Sequence, residues 1–594
     1  MSFLPSLSPG NVPNLLPADA KYDVNDKWVR PTEWLDLNVP DGVPEKIIGL
    51  VAVFPNERSA QNYVAFNLDT DDGSSFTVDW GDGTIETLAS NVTHHHVYNY
   101  DDITSDTSTM KSTTFRGYRQ AKFEVTLNNG VSFGTSSGQI NFDVDGPYVT
   151  QASYAYRLGP NILDLFISSS NATQHNINFN RPMRMVEQIE IRNTSSNRLV
   201  NPERLYCGCR SLRSIPFVPY IRNAGTESYT RAFYDCHALT FLSDDFASTD
   251  RYWFKNPSNM QEAFRYCYAL RYLPEGLFGS GMLTNCSTFY ATFYDCKNLR
   301  YIPYIGIRNT SSVQIDYMFY LCLDLRAIPR GVDISKMDNR GIDRTFGHCR
   351  ECYDFSVLSE QGGLDAIERT ANFDMSQTFY NLDSLKEFPY VGQFTRTSNA
   401  TNMFGGSTQI ERFNSQYTYL DFTNCADLES TFNGLAILKE LPPVHVNNLT
   451  NGRALYRTFF GCESLTSVKF VGMNAGPSDG EYYQCFYNCP SLQYIEGIDF
   501  SYANDSGDMN TVFHLCRNIN YIKFPGGPTD ETGFKYSTDL RYNPLNRDAL
   551  LEIFNHLVTI THSATLDIRN NSFTADLTAA DKLIATNKGW TLSL

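Results

Sequence analysis

The segment TFYDCKNLRYIPYI (292–305) returns in variant form about every 27 residues, and nothing else in the chain limits its fold as sharply. With its first phenylalanine as position 0, the series is Tyr206, Phe233, Phe264, Phe293, Phe319, Phe346, Phe379, Phe404, Phe432, Phe459, Phe486 and Phe513. Apolar residues follow at +6 (Leu212, Leu239, Leu270, Leu299 and onward) and at +9 (Ile215, Leu242, Leu273, Ile302 and onward). At +3, nine of the twelve copies carry cysteine: Cys209, Cys236, Cys267, Cys296, Cys322, Cys349, Cys462, Cys489 and Cys516. A single unit this short cannot bury its own apolar face, so the copies must stack. The spacing predicts a coil with the aromatic on a helical turn, a small buried residue in the bend, and L-x-x-I entering a short strand. Twelve coils at a strand spacing of about 4.8 Å would extend for about 60 Å.

The F-x-x-C-x-x-L-x-x-I-P pattern resembles the BspA-like leucine-rich repeats, over residues 186–528. That resemblance implies a leucine-rich-repeat solenoid. It leaves function open, because such repeats occur in adhesins, protozoan surface proteins and phage virion proteins. The cysteines read as packing residues, since free cysteine is a small, readily buried hydrophobe. Leu382, Ser407 and Leu435 replace it in other copies, which fits packing better than disulfides or metal.

FTVDWGDGT (76–84), with His96-Val97-Tyr98 after it, resembles the PKD-type β-sandwich, in which a strand enters a tight Asp-Gly turn. Asp69, Asp71, Asp72, Asp79 and Asp82 raise a calcium reading, but DTDDG lacks the spacing of a calcium loop, and a solvated acidic turn is favoured. His94, His95 and His96 are poor joint metal ligands, because successive strand residues face opposite ways. At the other end, DALLEIFNHL (548–557) is spaced for a helix, TLDIRN for a strand, and LTAADKLIATNKGWTLSL for helix then strand. This resembles the terminal cap of phage and prophage repeat proteins.

The expected class is therefore mixed α/β. An extended, proline-rich arm (1–45), a PKD-like β-sandwich (46–128) and a β-rich connection (129–185) precede the solenoid of about twelve coils (186–528), and an α/β cap (529–594) closes it. MVEQIEIRNTSSN (185–197) has the repeat cadence and is read as the coil that leads in. The net charge of −17 is uneven, with 17 acidic against 5 basic residues in 1–110. That balance argues against a nucleic-acid partner. The longest nearby apolar run, IIGLVAVF (47–54), is too short to insert in a membrane, and the first residues lack the pattern of a secretory signal.

No phosphate loop, dinucleotide fingerprint, nucleophile elbow or zincin helix is present, and neither a catalytic residue nor a cofactor or metal is expected. Binding is the better prospect. Position +8 should face outward by strand alternation, with +7 at the strand entrance. Position +8 supplies Phe241, Tyr272, Tyr301, Tyr494 and Tyr521, and +7 supplies Arg213, Arg271, Arg300, Arg326, Lys386 and Lys439. Aromatics beside cations suit sugar rings or acidic groups. The competing reading is that these side chains merely cover one another.

Together the resemblances imply a non-enzymatic virion structural protein of a tailed phage, an appendage of capsid or tail localised to the virion. Residues 1–128 would meet other virion proteins, the repeat surface would meet a host glycan or protein, and a homo-oligomer is compatible. A bacterial surface adhesin is the alternative, and a polysaccharide-degrading appendage enzyme the third reading.

Overall fold

A computed structural model describes residues 28–55, 62–112, 114, 116–129, 132–133, 139–142, 160–170, 176–178, 183–196, 198–200, 202–222, 227–251, 253–255, 257–279, 283–307, 313–338, 340–359, 362–366, 372–447, 449–473, 480–504 and 506–594. The chain divides into two compact units, Met1–Val313 with Pro329–Val332, and Gln314–Ile328 with Asp333–Leu594.

The first unit begins with eleven strands: β1 (Lys46–Val53), β2 (Tyr63–Leu68), β3 (Phe76–Asp79), β4 (Ile85–Leu88), β5 (Thr93–Val97), β6 (Met110–Lys111), β7 (Arg119–Leu127), β8 (Gln139–Asn141), β9 (Ile162–Ser168), β10 (Asn176–Asn178) and β11 (Gln188–Arg192). They form a seven-stranded sheet in the order β11-β9-β1-β7-β3-β4, with β6 on β7, and a four-stranded sheet β10-β8-β2-β5. Phe66 of β2 lies against Phe76, Trp80 and Phe123 of the larger sheet at ring distances of 6.3, 5.6 and 6.5 Å, so the two sheets share an aromatic core. The two sequence motifs meet there. His96 stacks on Trp80 at 4.7 Å and pairs with Asp82 at 2.7 Å, while the buried Tyr98 hydroxyl donates to the Trp80 carbonyl. Gly81 has φ +80°, and a Cβ there would run into the Lys122 carbonyl, which is why this turn needs glycine.

Residues 1–27 of the expected arm lie outside the described residues. The remainder lies on its own chain: Trp34 and Leu37 are buried over the larger sheet with Ile48, Leu50, Leu163 and Phe166. Strand β11 then joins the repeat, because Gln188 bridges Ser214 in parallel. The strand expected to begin the solenoid is thus an edge strand of the larger sheet, with a single bridge to the first coil.

The repeats are a solenoid of stacked coils, but the aromatic does not sit on a helical turn. It lies between two left-handed residues. All twelve +2 positions have positive φ, from 54° at Asn381 to 75° at Gly208, and so do eleven of the twelve −2 positions, such as Arg231 at 56°. The hydrogen bonds explain this alternation. Arg231, Phe233 and Asp235 (−2, 0, +2) donate their N–H groups to the Gln261, Ala263 and Arg265 carbonyls of the next coil. Ala232, Tyr234 and Cys236 between them donate to carbonyls three residues back. A right-handed helix would spend every N–H within the coil. The left-handed residues turn half of them toward the neighbour, and the satisfied ladder offsets a backbone cost of about 1 kcal/mol each.

The ring row stacks within each unit. Tyr206, Phe233, Phe264 and Phe293 follow at 5.0, 5.3 and 5.5 Å in the first. Phe319 through Phe513 follow at 5.2–5.9 Å in the second. Each ring is buried, worth roughly 2–3 kcal/mol by area, with stacking adding about 1 kcal/mol.

The coil count differs from the expected twelve. The solenoid has about 15 turns, and towards the C-terminus Thr538–Asp539, Thr565–Asp567 and Thr591–Ser593 pair in parallel as a three-stranded sheet of their own. Helices among the described residues are short: α1 (Ser506–Thr511), α2 (Arg547–His556) and α3 (Ala579–Asn587). Thr578 and Asp581 form a capping box on α3, and Asp581 also holds Arg547 at the start of α2.

Candidate ligand-binding face of the repeat

The repeat concentrates its polar chemistry in two places, the thiol position inside and the +8 strand outside. Inside, the thiols do more than fill space. Cys236 Sγ donates to the Tyr206 carbonyl of the preceding coil at 3.0 Å, and Cys267, Cys296, Cys349, Cys462, Cys489 and Cys516 repeat the contact at 3.0–3.2 Å. Ser407, in the same slot, donates to the Phe379 carbonyl at 2.9 Å. The slot therefore selects a small side chain that carries a donor. Threonine at −1 forms a second such row. Thr292, Thr345, Thr378, Thr431 and Thr458 donate to carbonyls of the preceding coil at 2.8–3.1 Å. That row was not read from the sequence, although threonine at −1 in five copies was the available signal.

All fourteen cysteines are free. Burial pushes the thiols of Cys207, Cys286, Cys425 and Cys462 up to about 12, and Cys209, Cys236, Cys349 and Cys489 well above the usual thiol range. Thiolate is the reactive form, so these groups are protonated donors and poor nucleophiles at neutral pH.

Outside, the +8 residues stand in parallel register. Phe241 bridges Tyr272, and Tyr272 bridges Tyr301. The Tyr272 and Tyr301 rings stack at 6.4 Å and 9°. Arg271 and Arg300 flank them at +7, their amides bonded to the Thr240 and Arg271 carbonyls. Arg213, exposed, occupies the same place one coil earlier than Phe241. In these coils the expected residues come together.

In the second unit they separate. Tyr494 and Tyr521 stack at 6.1 Å, but Lys386 and Lys439 belong to coils whose +8 residues are Glu387 and Glu440, and Arg326 to one with Ala327. Glu387 is paired with Arg412. Beside Tyr494, Glu496 binds Lys469 at 3.4 Å and Lys523 at 3.1 Å and accepts the Tyr494 hydroxyl, which burial and this bond push up to about 12. One continuous stripe is thus not formed. The cation-and-aromatic combination is confined to Arg213, Phe241, Arg271, Tyr272, Arg300 and Tyr301.

The acidic turns are engaged by their own backbone. Asp72 accepts the Ser74 amide, Asp79 the Gly81 amide, and Asp71 the Ser132 amide and hydroxyl. His94 and His96 face inward and His95 outward. Among the described residues no three His, Cys, Asp or Glu side chains are grouped to hold a metal, and no helix is long and apolar enough to cross a membrane.

No protein-family model matches the chain, and no curated protein does. Among solved structures, a leucine-rich cell surface protein of Faecalibacterium prausnitzii is similar at 16% identity and a TM-score of 0.26, covering 66% of this chain and 91% of that one. TLR13 in complex with ssRNA13 is similar at 13% and 0.20, over 70% of this chain and 52% of the other. The plant peptide hormone receptor RGFR1 with RGF2 gives 14% and 0.19, over 71% and 68%.

Proposed function

We propose that this chain is a non-enzymatic binding protein whose repeat displays a host-facing surface, and that it serves as a structural appendage of a tailed-phage particle. The observation that carries the binding reading is the register of Phe241, Tyr272 and Tyr301, joined by single parallel bridges from coil to coil, with Arg271 and Arg300 beside them. Parallel bridges hold these side chains at fixed spacing on a backbone that is hydrogen-bonded coil to coil. A preorganised row of this kind loses little entropy on meeting a ligand. The interior supports the same reading, because thirteen of the fourteen thiols, the most reactive groups of the repeat, are buried.

The phage assignment, the PKD-like character of the two-sheet body and the docking role of residues 1–128 rest on the sequence resemblances. The packing of Trp34 and Leu37 refines the docking test. Removing 1–45 would strip the larger sheet, whereas removing 1–27 leaves that cover in place. The shorter truncation is expected to be lost from purified particles while its solenoid remains folded, and cryo-electron microscopy of particles locates the full chain. Wild-type occupancy by the truncated protein would refute docking through that segment. Changing Arg271, Arg300 and Tyr301 together to alanine is expected to weaken host adsorption with unaltered thermal stability. Unchanged adsorption would remove the binding surface.

A further inference from the structure

We infer that the turns carrying Phe459, Phe486 and Phe513 form a docking surface for an acidic protein segment, with Arg457 receiving its carboxylate. The surface uses positions −3, −2 and +1 of the repeat and does not depend on the +8 row. Its first observation is a repeated device. At −2, Arg231, Arg344 and Arg457 each donate Nε to the −2 side chain of the following coil, Glu262, Gln377 and Gln484, at 2.6, 3.2 and 2.9 Å. In two of the three the charge is neutralised. Arg231 pairs with Glu262 itself, and Arg344 Nη1 pairs with Asp343 at 2.8 Å. Arg457 has only the neutral Gln484, and its Nη groups meet no carboxylate among the described residues. Glu429 and Glu481, on the neighbouring coils, are taken by Arg453 at 3.1 and 3.3 Å.

Aromatic rings hold this guanidinium in place. Its carbon lies 5.3, 5.4 and 5.7 Å from the ring centres of Tyr456, Phe460 and Tyr483. The rings stand in two columns. Tyr456 stacks on Tyr483 at 5.4 Å, and Phe460, Tyr487 and His514 follow one another at 5.0 Å, none of the five being buried. Stacked rings spend their faces on one another, so the columns turn edges and hydroxyls to the solvent. Ring edges carry positive partial charge. The Tyr456, Tyr483 and Tyr487 hydroxyls bond to none of the described residues and are not enclosed, so they are open to donate. Donors and ring edges around an uncompensated cation select an anion, and a planar carboxylate fits the guanidinium fork through both oxygens. A sugar would need ring faces for its C–H groups, and the columns offer edges. Tyrosine and arginine are the side chains that carry most binding energy at protein interfaces, and a cation fixed by its neighbours loses little entropy on docking. These points favour a protein carboxylate over a uronate.

The test follows the Arg457 Nε–H resonance of the full chain with isotope-labelled arginine, assigned by its loss in Arg457→Gln. A hexaglutamate peptide should shift it saturably and hexaglutamine should not. By titration calorimetry, Arg457→Lys, which keeps the charge and loses the fork, should bind hexaglutamate roughly tenfold more weakly. Tyr483→Phe with Tyr487→Phe, which keeps both rings, should cost about fivefold or more. Arg344→Lys, at the same repeat position with its charge already paired, should bind as wild type does. The surface is overturned if the resonance does not move, if hexaglutamine moves it equally, or if Arg457→Lys and the phenylalanine pair both bind as wild type does. Glutarate binding as tightly as hexaglutamate would make this a site for a free carboxylate, and tetragalacturonate binding more tightly would make it a glycan site; either result overturns the protein partner. Adsorption through Arg271, Arg300 and Tyr301 is a separate measurement, so failure here leaves the +8 reading standing.

Discussion

The thiol row makes a prediction that separates packing from hydrogen bonding. Cys462 is fully buried and its Sγ donates to the Phe432 carbonyl at 3.1 Å; the same carbonyl receives the Leu435 amide at 3.4 Å. Cys462→Ala deletes one buried atom, costing about 1 kcal/mol for lost transfer and residual void. It also leaves the carbonyl with one weak donor instead of two, a further 0.5–1 kcal/mol or so for a thiol bond. Cys462→Val refills the space without restoring the donor. Cys462→Ser restores the donor in the geometry Ser407 already uses. Packing alone ranks valine nearest to wild type and serine with alanine. Hydrogen bonding ranks serine nearest.

Global melting is a blunt probe, because stability in stacked repeats is a sum of local terms. Native-state hydrogen exchange of the Phe432 and Phe459 amides, which donate to Thr458 and Cys485, reads the affected coil directly. A loss of about 1.5–2 kcal/mol in Cys462→Ala corresponds to roughly 10- to 30-fold faster exchange. Serine is expected to recover most of that protection and valine less. Exchange in Cys462→Val as slow as wild type, with Cys462→Ser as fast as alanine, would refute the donor role.

Other perturbations test the same physics elsewhere. At pH 8 none of the fourteen thiols should react promptly with Ellman's reagent in the folded chain, Cys207, the one not fully buried, being the first to do so on long exposure, and unfolding should release all fourteen; early reaction at several sites would contradict burial of the row. Folded thiols raised to about 12, as at Cys462, keep their stabilisation below the unfolded value of 9.0 and lose it as pH rises toward 12, so urea midpoints in reductant should fall between pH 9 and 11. Asp82 has the opposite sign. Burial raises its pKa, but the His96 and Thr84 hydrogen bonds outweigh this and hold it below the ordinary carboxylate value, so its contribution fades as pH falls through that range. Asp82→Asn should therefore flatten the acid limb of unfolding of the two-sheet body, followed by Trp80 fluorescence. Gly81→Ala should cost well over 1 kcal/mol because its Cβ meets the Lys122 carbonyl, whereas Gly83→Ala, with open space around it, should cost about 1 kcal/mol from φ +96° alone; equal midpoints would refute the distinction.

The repeat was legible because stacking forces one residue type into one place twelve times. What was hidden is the backbone between those places. A helical turn was expected around each aromatic, yet the +2 residue is left-handed in every coil. Eight of the twelve +2 residues are Gly, Asp or Asn, the types that tolerate this conformation, so the signal was present. Tyr266, Leu321, His348 and Leu515 diluted it, and they adopt the same φ because the hydrogen bonds to the next coil determine the backbone more strongly than the side chain does. The C-terminal segment divides in a related way. Its helices and the strands after them are legible from apolar spacing, but Thr538–Asp539 is too short to mark as a strand and shows only in its parallel pairing with Thr565–Asp567.

The binding face shows where local reading stops. Alternation placed Phe241, Tyr272 and Tyr301 on one edge, since strand geometry relates residues within a coil, and the coil-to-coil ladder carries that relation onward. It could not place Trp28, whose position depends on how a segment far away in sequence crosses the sheet before the first coil. Register within a coil is local, and stacking copies it from coil to coil, so a face built on that register is legible from the repeat alone. An element that borders the face from outside the repeat is not, because its place is set by tertiary packing and not by the cadence of the coils.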